Sequence, residues 1–281
     1  MRSYDLIEVK PLGGTIGAEI SGVDMSQPLG NQLFQEVHDA LIENQVIFFR
    51  GQDVTPAEHV AFARQFGTLQ VHPLVPHLED HPEVLVLESM EGKRTAANAW
   101  HSDVTFDTEP PLGSILLARE VPNRGGDTLW ADMYAAYEAL SPSMKRYLEG
   151  MTAVHNAGFA QFEKTFEKGD GRAGAVKEEK HTIPSSEHPV VRTHPETGRK
   201  ALYVNSIFTE RLRGVTRKES RAILDYLFDH LQTPEFTCRF HWEKNSVAFW
   251  DNRCTQHYAI ADYGGSHRLM HRVTVNGDKP V

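Results

Sequence analysis

Cysteine is nearly missing from this chain of 281 residues: there are two, Cys238 and Cys254, without Cys-x-x-Cys spacing. That excludes a disulfide framework and a thiolate metal site. Long apolar runs are missing as well. No stretch approaches the roughly 18 apolar residues of a membrane span, and the opening "MRSYDLIEVKPLGG" lacks the apolar core of a signal sequence. Positive charge is not in excess. The net charge of −9 argues against a general binder of nucleic acid or anionic membrane. Repeats and low-complexity linkers are also lacking. These absences lead us to expect a soluble, cytoplasmic, acidic protein folded as one domain over residues 1–281.

What is present is a core: 40% of the residues are hydrophobic, arranged in short segments. "NQLFQEVHDALIENQ" carries Leu33, Val37, Leu41 and Ile42 at the spacing of one helix face. "TPAE" opens a second helix, with Thr55 as cap, Pro56 in the first turn and Glu58 three after the cap. Thr216 and Glu219 repeat that signature before Ile223, Leu224, Leu227, Phe228 and Leu231. Strand patterns fill much of the rest: "VIFFRG", "EVLVLES", "WHSDVTF", "GSILLARE", "DTLWAD", "FTCRFHWEK", "SVAFWDN" and "RLMHRVTV". "MYAAYEALSPSMKRYLEG" is a helical insertion that restarts at Ser141-Pro142, and "HPVVRTHPETGRKALYVN" is a hairpin turning over Pro195–Gly198. Short strands in both halves with helices between them predict an α+β fold built on a β-sandwich or jelly roll. Residues 157–187 are polar and Gly-rich yet hold Phe159, Phe162 and Phe166, the pattern of a lid inserted into a compact domain.

Within "AWHSDVTF" a carboxylate stands among apolar flanks, where it is costly without a positive partner. In a strand, His101 and Asp103 share a face and converge on one point. A third donor is needed for a labile divalent ion, and His257 in "FWDNRCTQHYAIADY" is placed for it, at a strand-to-loop rim. Two histidines and a carboxylate with open positions suit non-haem Fe(II), and zinc also accepts such donors. The last strand, "HRLMHRVTV", puts Arg268, Met270, Arg272 and Thr274 on one face and Leu269, His271, Val273 and Val275 on the other. Facing inward, the two guanidinium groups form a site for two anionic groups; facing outward, they form a basic stripe.

Taken together, His101-x-Asp103, the distant His257 and the following Arg268 resemble the Fe(II)- and 2-oxoglutarate-dependent dioxygenases of the taurine dioxygenase family. The resemblance runs through "IGAEISGVD", "VIFFRGQ", "WHSDVTF", "GGDTLWADMYAAYEALS", "HPVVRTHPETGRKALYVN", "WDNRCTQHYAIADY" and "HRLMHRVTVNGDKP", in one order over nearly the whole chain. It implies a double-stranded β-helix, or jelly roll, flanked by helices. Fe(II) is then held by His101, Asp103 and His257, with no catalytic side chain beyond these ligands. 2-Oxoglutarate is bound by Arg268 and Thr128, and O2 is the second co-substrate. The implied reaction hydroxylates a C–H bond of a small, taurine-like organosulfonate and releases sulfite, an aldehyde, succinate and CO2. Relatives assemble as dimers or tetramers, so a homo-oligomer is implied.

The family's anion pocket maps onto His72, Arg272 and Phe208, so a small anionic substrate is expected. Its taurine enzymes carry a tyrosine three residues after that histidine and an asparagine four before the first iron ligand. Here those positions hold Val75 and Ala97, with Asn98 next door. The alternative is therefore a more apolar anion: an alkanesulfonate, an alkyl sulfate or an aryloxyalkanoate. A non-oxygenase metal-binding jelly roll is the reading outside this class. Cys254, His155, His188, His194 and His271 are read as packing, turn or surface residues, while Trp100 and Trp130 are read as flanking the site.

Overall fold

Both capping signatures start the helices they announce. Thr55 Oγ1 accepts from Glu58 N at 3.3 Å while Glu58 accepts from Thr55 N at 2.6 Å, and Thr216 and Glu219 repeat the reciprocal pair at 3.3 and 2.8 Å. Each pair satisfies two donors that a helix start leaves open. The computed structural model describes residues 2–72, 76–89, 98–158 and 183–281. The expectations for Val75 and Ala97 lie outside the described residues. So does most of the proposed lid, including Phe159, Phe162 and Phe166.

In chain order, β1 (Glu8–Pro11) and β2 (Ala18–Ser21) precede α1 (Asn31–Asn44), β3 (Val46–Phe49), α2 (Pro56–Arg64), β4 (Leu85–Ser89) and β5 (Gly113–Glu120). β6 (Thr128–Asp132) runs into α3 (Met133–Glu138) and α4 (Pro142–Leu148). Then come β7 (Thr152–Asn156), β8 (Ser185–Pro189), β9 (Val191–Thr193), β10 (Lys200–Leu202) and β11 (Thr209–Leu212). The chain closes with α5 (Arg217–His230), β12 (Thr237–Phe240), β13 (Val247–Asp251), β14 (Thr255–Ala259) and β15 (Arg268–Val275).

The main sheet has seven strands in the order β1-β2-β3-β13-β5-β15-β4, antiparallel except for the parallel β2–β3 pair. A three-stranded sheet, β12-β6-β14, packs on one of its faces. Between the two lie Val46, Phe48, Leu116, Trp130, Phe240, Trp250 and Met270. On the other face of the main sheet, Ile47, Phe49, Ile115, Phe249 and Val273 pack with Val37, Leu41, Val60 and Phe62 of α1 and α2. A third cluster joins α3, α4 and α5 to β7 and β11 through Met133, Leu148, Ala153, Leu212, Leu224 and Leu227. Alternation along the strands, with one set of side chains to each cluster, produces these layers.

Two local expectations need correction. "WHSDVTF" is not a strand. His101 makes an isolated bridge to His257, and the chain then turns at residues 103–106, closed by Asp107 N donating to Val104 O at 3.0 Å. His257 is not at a strand-to-loop rim either. It lies within β14, opposite Trp130 of β6. The apolar run that was read as one strand ending at Asn252 is followed by a short turn and this second strand, and its apolar residues are too few to announce it.

Candidate active site

The site is built where β14 meets the segment after residue 98. His101 and His257 face each other as a backbone pair, His101 N donating to His257 O at 3.1 Å and His257 N to His101 O at 2.8 Å. Their rings lie 4.1 Å apart between centroids. Each Nε2 is 3.9 Å from the same oxygen, Asp103 Oδ1. At that separation neither imidazole hydrogen-bonds to the carboxylate, so the three donors surround a common point. All three residues are buried.

His101 Nδ1 is 2.8 Å from Ala99 O. A carbonyl only accepts, so Nδ1 carries the proton and Nε2 presents its lone pair to the common point. Burial pushes both imidazoles toward neutrality, His257 to about 3, and the neighbouring His101 adds to its shift. Neutral imidazole is the form that ligates metal. Burial opposes the charge on Asp103, but Arg272, His257 and His101 outweigh it and hold the carboxyl well below its usual range. The donor chemistry fits a divalent ion of the Fe(II) type.

The positive partner at Asp103 in the structure is Arg272, whose Nη1 donates to Asp103 Oδ1 at 2.9 Å. Ser114 Oγ donates to the other oxygen at 3.2 Å. Arg268 and Arg272 lie on one face of β15, together with Met270, which is buried between the sheets. The inward-facing alternative therefore holds. Both guanidinium groups have a buried Nε without a hydrogen-bond acceptor among the described residues. Arg268 is 7% exposed, sits 6.0 Å from the centre of the Trp242 ring and pairs with no carboxylate among the described residues. Burial lowers its pKa.

The Taurine catabolism dioxygenase TauD, TfdA family matches residues 8–274. The chain belongs to this family. It is an α-ketoglutarate-dependent dioxygenase, a class that uses Fe(II), 2-oxoglutarate and O2. An alkylsulfatase of Acinetobacter baylyi is 38% identical, over 97% of this chain and 86% of that protein. An α-ketoglutarate-dependent sulfate ester dioxygenase of Pseudomonas putida is also 38% identical, over 98% of this chain and 91% of that protein. A crystal structure of a taurine dioxygenase from Burkholderia xenovorans superposes with a TM-score of 0.85 at 39% identity, covering 99% of this chain and 91% of that one.

The other residues expected from the family resemblance are distributed as follows. His72 is close enough to Arg272 and Asp103 to feel both charges, and burial with Arg272 beside it pushes its pKa down to about 4. Phe208 meets His101 edge-on at 6.4 Å and Phe106 at 5.1 Å. Asn98 Oδ1 is buried without a hydrogen-bond partner among the described residues. Thr128 Oγ1 accepts from Trp242 Nε1 at 2.9 Å, which leaves its O–H as a donor. Trp130 stacks at 6.5 Å from His257, and Trp250 lies nearer still at 4.8 Å.

Tyr263 and Asn252 received no role from the sequence. The Tyr263 hydroxyl is buried without a partner among the described residues, and the side chain is close enough to Arg268 to raise that group's pKa against the effect of burial. Both pack on Gly126: a Cβ there would stand 3.2 Å from Tyr263 Cδ1 and 3.7 Å from Arg268 Cδ. Gly126 also has φ +73°, which disfavours a side chain. Only the missing partners in three dimensions reveal Tyr263.

His194, Asp251 and Cys254 form a second buried group with donor spacing. Arg253 already occupies it, with Nε 2.9 Å from Asp251 Oδ1 and Nη2 2.6 Å from Oδ2. His194 Nδ1 accepts from Glu196 N and Thr197 N at 3.3 and 3.2 Å, so its Nε2 donates to Asp251 Oδ2 at 3.0 Å. Burial and Asp251 push the Cys254 thiol upward. The cluster braces the end of β13, in keeping with the packing role read from the sequence.

Proposed function

We propose that this dioxygenase, on a jelly-roll core, hydroxylates the carbon next to the sulfur oxyanion of a small organosulfur compound with an apolar chain, an alkyl sulfate ester or alkanesulfonate. The observation that carries this reading is the pair of buried Nε–H groups of Arg268 and Arg272, both without acceptors among the described residues and on one strand face. Four residues of strand separate them by about 13 Å. Two anions, one per arginine, suit that arrangement better than one. The relatives named for alkyl sulfates and sulfate esters share 38% of their aligned residues with this chain.

In this reading His101, Asp103 and His257 hold Fe(II). Arg268 and the Thr128 hydroxyl take the distal carboxylate side of 2-oxoglutarate. Arg272 and His72 grip the substrate oxyanion, and Phe106 and Phe208 wall the chain next to His101. When bound, Fe(II) with 2-oxoglutarate and O2 supplies the oxidising chemistry: the co-substrate becomes succinate and CO2, and one substrate C–H becomes C–OH. The protein's own part is positioning. Arg272 keeps Asp103 anionic while its Nε is left for the substrate, and the aromatic wall excludes water from the reacting carbon. An alkyl sulfate hydroxylated at its ester carbon then collapses to an aldehyde and hydrogensulfate; a sulfonate collapses to an aldehyde and sulfite.

Hexyl sulfate, hexanesulfonate and taurine separate the readings. The alkyl compounds are expected to show a kcat/KM about a hundredfold or more above that of taurine, because an ammonium beside Phe106 and Phe208 loses hydration that the aromatic wall does not replace. The buried, unpartnered Asn98 Oδ1 favours the taurine reading instead, and taurine as the best substrate would establish it.

Tyr263→Phe removes only a hydroxyl. The expected result is a KM for 2-oxoglutarate raised about three- to tenfold with kcat unchanged, as for loss of one neutral donor. Initial rates at varied 2-oxoglutarate check this, and an unchanged KM would take Tyr263 out of the co-substrate pocket.

A further inference from the structure

The turn after Asp103 is held in a conformation that its sequence resists. Val104 has φ +54°, the left-handed region, which a β-branched side chain enters only under constraint. Two other described non-glycine residues share a positive φ, Gln45 and Asn245. Asparagine tolerates it better, and Gln45 follows α1 as a helix cap. Val104 has no such excuse: it is buried and directly follows a carboxylate of the triad.

Asn252 supplies the constraint. Its Oδ1 accepts from Asp103 N at 2.7 Å, and its Nδ2 donates to Asp103 O at 3.0 Å and to Pro111 O at 3.3 Å. One side-chain amide thus takes both backbone groups of Asp103, as a neighbouring strand would. Asn252 is fully buried and its own backbone N donates to Leu112 O at 2.8 Å. The residue before it, Asp251, is fixed by Arg253 and His194. On the other side, Ser102 Oγ donates to Thr255 O at 2.7 Å. The segment is therefore gripped through Asp103 while the next residue is bent away.

We propose that Asn252 is a positioning residue: by clamping the Asp103 backbone it forces Val104 into the left-handed turn, and that turn aims the Asp103 carboxylate at the two imidazoles. Without the clamp, residues 103–106 relax toward the extended backbone that valine prefers, and the carboxylate leaves the triad. This rests on the reading of His101, Asp103 and His257 as metal ligands.

The test measures Co(II), a redox-stable probe, binding to the full chain by anaerobic calorimetry, without turnover. Asn252→Ala is expected to weaken Co(II) binding about tenfold or more, the usual effect of losing a group that orients a ligand. Glycine adopts the left-handed turn without strain. Val104→Gly in the Asn252→Ala background is therefore expected to restore most of that affinity, and Val104→Ala to restore little. Co(II) binding by Asn252→Ala equal to that of the parent overturns the proposal. So does a loss that Val104→Gly leaves undiminished, since general loosening would not be cured by a glycine. If Asn252→Ala does not fold, Asn252→Asp keeps the acceptor and loses the donor, and the same comparison is made with it. Asp103→Ala sets the floor: Co(II) binding by it equal to that of the parent would remove the triad reading itself, a different failure from that of the clamp.

Discussion

Asp103→Ala is expected to abolish turnover and to destabilise the protein at the same time. The first effect follows from the proposed triad, because two imidazoles alone leave a divalent ion without the anionic ligand that Asp103 supplies. The second follows from Arg272, whose side chain is 13% exposed and donates to Asp103 at 2.9 Å. Removing the carboxylate leaves a partly buried guanidinium without its partner, at a cost of up to about 3 kcal/mol. Denaturant unfolding with chelator present isolates this cost from the metal's contribution. The pH dependence has a definite sign. The Asp103 carboxyl is depressed in the fold, against burial, by Arg272 and the two histidines, so its stabilisation is present above an unfolded value of about 3.9 and is lost as pH falls toward the folded value. An apo-protein whose acid unfolding is unchanged in Asp103→Ala would show that the Arg272 contact contributes nothing.

Arg268→Met is expected to move stability and binding in opposite directions. The guanidinium is buried, has no carboxylate partner among the described residues and carries a pKa lowered by burial. Holding such a charge costs free energy in the empty site, so a methionine of similar reach leaves the apo-protein equally or more stable. Co-substrate binding loses a charge-assisted pair, and KM for 2-oxoglutarate rises about a hundredfold or more. A melting series with and without 2-oxoglutarate reads both effects. The parent is stabilised by the ligand according to RT ln(1 + [L]/Kd), and the variant is not. A variant destabilised without ligand yet still stabilised by it would place Arg268 in the structure and not in the pocket.

The parts of this molecule that sequence could reveal are those set by local rules. The reciprocal caps at Thr55 and Thr216, the alternation along β5 and β15, and the apolar face of α1 each follow from spacing alone. So does the pairing of Arg268 with Arg272, although direction could not be read from alternation: Met270 between the sheets and Val273 against the helices decide it. The His-x-Asp segment signals a candidate ligand pair, and its flanks signal a strand that the fold does not contain. Its geometry depends on Asn252, far along the chain, whose amide replaces a strand neighbour. His257 is the candidate third donor, and its place in the fold is not legible, because a turn of three residues separates β13 from β14 and leaves no composition signal. Tyr263 had no signal. The role proposed for it rests on a buried hydroxyl without a partner among the described residues, which exists only in the fold.

The most direct measurement of the account follows succinate and inorganic sulfate together from hexyl sulfate, with the Fe(II)-loaded protein, 2-oxoglutarate and O2. The account predicts that both appear in equal amounts and that neither forms when O2 is withheld. Sulfate released without succinate, or in the absence of O2, would mean a hydrolytic cleavage and contradict the oxygenase reading of this site.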